Sequence, residues 1–125
     1  MATILVIEDD HSIRKLAAVN LKARGYQVVE ADTAQTGLAQ WRDGLPALVL
    51  LDIKLPDLRG WDVLDAISAD SKLPTTPVIV MTASGIDAEA SVRRFPNVVK
   101  VLIKPFDIHD LVRAVEAALG RSKGP

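Results

Sequence analysis

Five short runs rich in Val, Ile and Leu, each followed by a longer stretch with helical spacing, restrict what this chain can fold into more than any other feature. The runs are Ile4 to Ile7, Gln27 to Ala31, Ala47 to Leu51, Pro77 to Met81 and Val98 to Ile103. Strand-sized apolar runs alternating with helical patterns mean βα repeats, which bring successive strands together in a parallel sheet. Most runs are apolar at nearly every position rather than at every second one, as expected of strands covered on both faces. The fold class is therefore α/β, a single five-stranded parallel sheet with helices on both sides. In such open sheets the ligand crevice lies at the carboxyl ends of the strands.

The intervening stretches predict five helices. The first, Asp10 to Arg24, carries Ile13, Leu16, Ala17, Asn20 and Leu21 along one face and is closed by Gly25. The second, Thr33 to Asp43, starts on a threonine cap and stops at Gly44-Leu45-Pro46. The third spans Gly60 to Ala69, and the fourth, Asp87 to Arg94, has the weakest pattern. The fifth follows Pro105 with Asp107 as its cap and Ile108, Leu111, Val112, Val115, Ala118 and Leu119 as its apolar stripe. With 125 residues the chain has room for one core. Residues 1–120 are read as one domain and 121–125 as a disordered tail.

Composition narrows the function. A formal net charge of −1 argues against strong attraction to nucleic-acid phosphates or anionic membranes. Aromatic residues, at 4%, are too few for a base-stacking surface. Without cysteine there is no disulfide, thiolate metal site or cysteine nucleophile. The N-terminal apolar run is too short for a signal peptide, and no run reaches transmembrane length. These features predict a cytoplasmic protein that binds neither nucleic acid directly nor membrane.

The residues at the strand ends carry the chemistry. Glu8-Asp9-Asp10, Asp52, Thr82 and Lys104-Pro105 should converge. Several carboxylates crowded together repel one another and are costly to bury unpaired, so a divalent cation and a lysine are the natural compensation. An all-oxygen donor set favours Mg²⁺, with Mn²⁺ as the second choice. A carboxylate beside such an ion can attack a phosphoryl group, with Lys104 and the Thr82 hydroxyl neutralising the transferred oxygens.

At ILVIEDD, LLDIKLPDLRG, VIVMTA and VLIKPF the chain resembles the response-regulator receiver family, and the intervals between Asp9, Asp52, Thr82 and Lys104 suit that family. The resemblance implies a doubly wound (βα)₅ fold with the flavodoxin-like strand order 2-1-3-4-5. It implies that Asp52 is the phosphoacceptor, assisted by Thr82 and Lys104. It also implies a metal site in which Asp9, Asp52 and the Lys54 backbone carbonyl ligate Mg²⁺ and Glu8 acts through water. The phosphoryl donor would be a sensor histidine kinase or a histidine phosphotransfer protein, and the output a change in affinity for a downstream protein effector. The transfer is stoichiometric, so no turnover enzyme is implied, and the protein is expected to be a monomer or weak dimer. The family's lysine is often followed by a cis peptide bond, which here would be Lys104-Pro105.

Two positions depart from the family. Val101 stands where a rotating Tyr or Phe is usual, and Arg94-Phe95-Pro96-Asn97-Val98 lacks the common Gly-Ala pair. These departures motivate an alternative, a receiver-fold interaction module that works without phosphorylation. A haloacid-dehalogenase-like phosphatase would need a second Asp where Lys54 stands, and a flavodoxin-like carrier would need a phosphate-cradling loop where the acidic residues are. The Lys54 side chain, beside the acceptor, is a candidate for altering how long phosphorylation lasts. His11, His109, Trp41, Trp61, Arg93, Arg94 and Arg113 are read as surface or packing residues.

Overall fold

The computed structural model describes residues 2–83 and 93–120. Within them the elements run β1 (Thr3–Ile7), α1 (His11–Ala23), β2 (Gln27–Ala31), α2 (Ala34–Gly44), β3 (Leu48–Asp52), α3 (Gly60–Ser68), β4 (Val78–Thr82), β5 (Val98–Ile103) and α4 (Ile108–Ala118). The helix expected over 87–94 falls outside the described residues except for its last two, and the tail 121–125 falls outside them entirely.

The five strands form one sheet in the order β2-β1-β3-β4-β5, with every neighbouring pair parallel. Pleating divides each buried strand between two cores. Ile4, Val6, Leu48 and Leu50 face Ala17 and Leu21 of α1 and Leu111, Val112 and Val115 of α4. Leu5, Ile7, Val49 and Leu51 face Ala34 and Trp41 of α2 and Val63, Leu64 and Ile67 of α3. Helices on both faces explain why β3 and β4 are buried along their whole length. The strand order reverses beside β1, so the crevice of such a sheet opens at the carboxyl ends of β1 and β3.

Local signals set the helix ends. Asp10 is extended, and its carboxylate accepts from the Ile13 N–H at 3.0 Å. Thr33 caps α2 through the Thr36 N–H at 3.1 Å, and Asp107 caps α4 through the His109 N–H at 2.8 Å. Gly25 follows α1 with φ 94°, a conformation that glycine adopts without steric cost. At the end of α2, Pro46 disfavours a further helical residue before it, and Leu45 turns left-handed at φ 45°.

Some expectations need correction. Leu16 is 48% exposed, because the core stripe of α1 passes through Ala17, Ala18 and Leu21 instead. Pro77 lies just before β4 rather than in it, though its carbonyl accepts from the Val49 N–H at 3.1 Å. Arg94 and Arg113 lie at the surface as expected, where Arg94 pairs with Asp65 at 2.7 Å and lies over the Phe95 ring, while Arg113 pairs with Asp110. The packing reading of the tryptophans needs no correction: Trp41 is a core residue, and Trp61 packs half-buried against the same core.

Candidate functional site

The carboxyl ends of β1, β3, β4 and β5 bring Glu8, Asp52, Thr82 and Lys104 to one crevice. β3 and β4 each extend one residue beyond their apolar runs, so Asp52 and Thr82 are the last residues of strands. The ladder sets Asp52 beside Met81 and Thr82 beside Ile103, and the Lys104 N–H donates to the Thr82 carbonyl at 2.7 Å. On the other side of the crevice, the Glu8 N–H donates to the Ala31 carbonyl at 3.0 Å. Strands rather than free loops thus carry or anchor these side chains, which gives them the fixed placement that site chemistry needs.

Glu8 is wholly buried and Asp52 and Thr82 nearly so, while Asp9 is exposed. One carboxylate oxygen from each of Glu8, Asp9 and Asp52 lies within 4.8 Å of the others. Lys104 Nζ stands 2.6 Å from Glu8 Oε1 and 3.2 Å from Asp52 Oδ1. The Lys54 N–H donates to Asp52 Oδ1 at 3.3 Å, and the Asp10 N–H donates to Glu8 Oε2 at 3.1 Å. A cavity of about 300 Å³ opens over the cluster, with Lys54, Thr82 and Ala83 among its walls. The peptide bond between Lys104 and Pro105 is cis.

Burial pushes the Glu8 carboxyl up to about 7, and the neighbouring Asp52 carboxylate pushes in the same direction, against the lowering effect of Lys104. Burial alone would lower the Lys104 ammonium, yet Glu8 and Asp52 hold it above its ordinary value. One lysine therefore answers two buried carboxylates while a third carboxylate lies beside them. Glu8 Oε1 is paired in charge with Lys104 but accepts no aligned hydrogen bond among the described residues. A crowded, under-neutralised, all-oxygen donor set of this kind fits a hard divalent cation.

Glu8, Asp9, Asp10, Asp52, Thr82 and Lys104 all reach this crevice, whereas Pro105 lines a separate hollow along β5 and α4. Asp10 caps α1 as expected, and the Lys54 side chain is exposed at the cavity rim. Val101 is half-buried on β5 and packs against the core under α2 and α3. Two contacts, one at the crevice and one in the loop after β3, were not legible in the sequence. Arg14 donates to the Glu8 carbonyl from the first turns of α1. Asp57, in the loop after Asp52, accepts from the Ala34 and Gln35 N–H groups at 2.8 and 2.9 Å, and these bonds hold its carboxyl below the usual range. Asp57 meets partners 22 and 23 residues away, and Arg14 reaches back six residues to a main-chain carbonyl, so no side-chain pattern announces either.

A doubly wound sheet with an acidic crevice and a lysine at its carboxyl edge defines a class of receiver-like α/β folds, and comparison with known proteins agrees. The model of the response regulator receiver domain matches residues 4–116, and the chain belongs to that family. It is 32% identical over 123 residues to the DNA-binding dual master transcriptional regulator RpaA of Synechocystis, covering 98% of this chain and 51% of that protein. It is also 32% identical to the phosphate regulon transcriptional regulatory protein PhoB of Pseudomonas aeruginosa, covering 98% of this chain and 53% of that one. The chain thus spans about half the length of these curated relatives. Among solved structures it resembles the receiver domain of NtrX from Brucella abortus, with TM-score 0.80 and 34% identity over 95% of this chain and 99% of that one. A CheY-like receiver domain protein from Methanospirillum hungatei aligns with TM-score 0.84 and 30% identity, covering 96% of this chain and 94% of that one.

Proposed function

We propose that the chain accepts a phosphoryl group on Asp52 from the phosphohistidine of a sensor histidine kinase or histidine phosphotransfer protein, and that the modification changes its affinity for a protein effector. The observation that carries this reading is the placement of the Asp52 carboxylate, buried at the end of β3, 3.2 Å from the Lys104 ammonium and beside Glu8 and Asp9. An Asp52 oxygen attacks phosphorus, the P–N bond breaks, and the electron pair returns to the donor imidazole. Lys104, fixed by its own backbone bond to Thr82, holds a permanent positive charge where a phosphoryl oxygen arrives. The Thr82 hydroxyl, at the end of the adjacent strand, would donate to a second oxygen.

Asp9, Asp52 and the Lys54 carbonyl would hold Mg²⁺, with Glu8 acting through water. The bound ion supplies positive charge that offsets the repulsion between the carboxylates and the incoming phosphoryl group. Because Asp52 is itself modified, the event is stoichiometric, and its reversal by hydrolysis resets the domain. The functional unit in this reading is residues 1–120, acting in the cytoplasm. Among the described residues no helix is long and apolar enough to cross a membrane. The DNA-binding named for a relative is not carried over, since the chain covers only half of that protein and has a net charge of −1.

Intact mass after incubation with acetyl phosphate and Mg²⁺ tests the reading. One phosphoryl adduct is expected on the wild type, lost on chelation and absent from Asp52→Ala. No adduct under any donor would overturn it and favour an interaction module independent of phosphorylation, the reading that Val101 in place of a switch aromatic suggests.

A further inference from the structure

The acidic turn after β1 has no regular structure of its own, yet both peptide groups of Glu8 are tied to β2. The Glu8 N–H reaches the Ala31 carbonyl directly, at 3.0 Å. The Glu8 carbonyl is reached indirectly. Arg14 NH1 donates to it at 3.0 Å while Arg14 Nε bonds Glu30 Oε1 on β2 at 3.1 Å, and NH2 meets His11 Nδ1 at 3.2 Å. The Arg14 side chain is only 13% exposed, and each of its three nitrogens has a partner on a different segment. A planar guanidinium presents donors from three separate nitrogens in a fixed fork, whereas an ammonium must serve all its acceptors from a single atom. Asp9 follows directly on the peptide unit so held.

We infer that Arg14 is a positioning residue for the metal-binding turn: by clamping the Glu8 carbonyl to Glu30 it fixes the direction in which Asp9 leaves β1. The inference rests on the reading that Glu8, Asp9 and Asp52 hold Mg²⁺. Its opposite is easily stated, because Arg14 is also a cation near an acidic cluster. If charge alone mattered, removing Arg14 would strengthen Mg²⁺ binding by leaving the site more negative. If placement matters, removal weakens binding. The sign of the change separates the two, and a purely structural staple between α1 and β2 would move neither.

Lys15 supplies the control. Its ammonium bonds the other oxygen of the same Glu30 at 3.0 Å from an exposed position. Lys15→Met therefore removes the same unit of charge from the same partner without touching the Glu8 carbonyl.

The experiment is isothermal titration of the full chain with MgCl₂, comparing wild type, Arg14→Met, Arg14→Lys and Lys15→Met, each checked for folding by circular dichroism. Arg14→Met is expected to bind Mg²⁺ roughly tenfold more weakly, the usual cost of losing an outer-shell support. Arg14→Lys, with charge kept and the fork lost, should also be weaker, while Lys15→Met should bind as tightly as wild type or slightly better. Arg14→Met binding as tightly as wild type, or more tightly, would overturn the inference, and if that variant does not fold, the same outcome for Arg14→Lys decides. A wild type that takes up no Mg²⁺ would instead overturn the underlying metal reading.

Discussion

The two ends of the sheet carry hollows of similar size and opposite character. Where β4 and β5 begin, a cavity of about 430 Å³ lies between the end of α3 and the residues leading into the strands. Its polar groups are engaged locally: Asn97 Nδ2 donates to the Thr76 carbonyl at 3.0 Å, the Thr76 hydroxyl turns toward the Pro74 carbonyl at 3.4 Å, and Asp70 accepts from the Lys72 N–H at 3.1 Å. Where the strands end, the smaller cavity of about 300 Å³ sits over three carboxylates with a single lysine between two of them. A larger hollow of about 880 Å³ along β5 and α4 holds charges of both signs and no such cluster. Volume does not find the site; the imbalance between buried charge and available partners does.

Three substitutions put that contrast at risk, from the strongest expected effect to the weakest. Lys104→Ala removes the only cation that forms an ion pair with the Glu8 and Asp52 carboxylates among the described residues. Phosphoryl acceptance from acetyl phosphate should fall roughly a hundredfold or more, as when a charge-stabilising donor is lost. A rate within a factor of two of wild type would mean that the lysine merely balances charge at rest.

Glu8→Gln addresses the same imbalance through stability. The folded metal-free domain holds a proton on Glu8 up to about pH 7, whereas the unfolded chain releases it near the ordinary value of 4.5. In that window the unfolded state binds fewer protons, so stability falls as pH rises from 4.5 to 7. Urea unfolding in chelator should find Glu8→Gln more stable than wild type by on the order of 1 to 3 kcal/mol at pH 7.5, with the gain disappearing at pH 4. An unchanged difference at the two pH values would show that burial does not strain this carboxylate.

At the opposite end, Asn97→Ala should cost about 1 kcal/mol of stability, the ordinary loss of one partly buried hydrogen bond, and leave phosphoryl acceptance as it was. Altered acceptance would show that the two ends are coupled and that the contrast drawn here is too sharp.

Much of this was legible in the sequence because one pattern did two jobs. Continuous apolar runs marked the strands, and the polar residues interrupting them marked the site. The same rule misplaced the boundaries of β3 and β4. Loss of apolarity predicts a strand end at Leu51 and Met81, but the ladder is built by backbone groups, which continue through Asp52 and Thr82 regardless of side chain. The face of α1 was misread at Leu16 because Leu16, Ala17, Ala18 and Val19 are all apolar, so periodicity could not choose among them. Arg14 and Asp57 stayed silent for another reason. Each makes its decisive contact with a backbone group, which every residue type supplies, so no side-chain pattern marks the partner.

Gly60 shows a different kind of constraint. A methyl group built there would stand 2.7 Å from the Asp52 carbonyl oxygen, closer than real contacts allow, and the obstacle is main chain rather than a side chain free to swing away. The first turn of α3 is therefore seated against the backbone of Asp52 with one hydrogen atom as the shim. Any bulk at position 60 becomes displacement, either of α3 outward or of the strand end that carries Asp52. Here residue identity is set by clearance alone, and the tolerance for error is less than the width of a carbon atom.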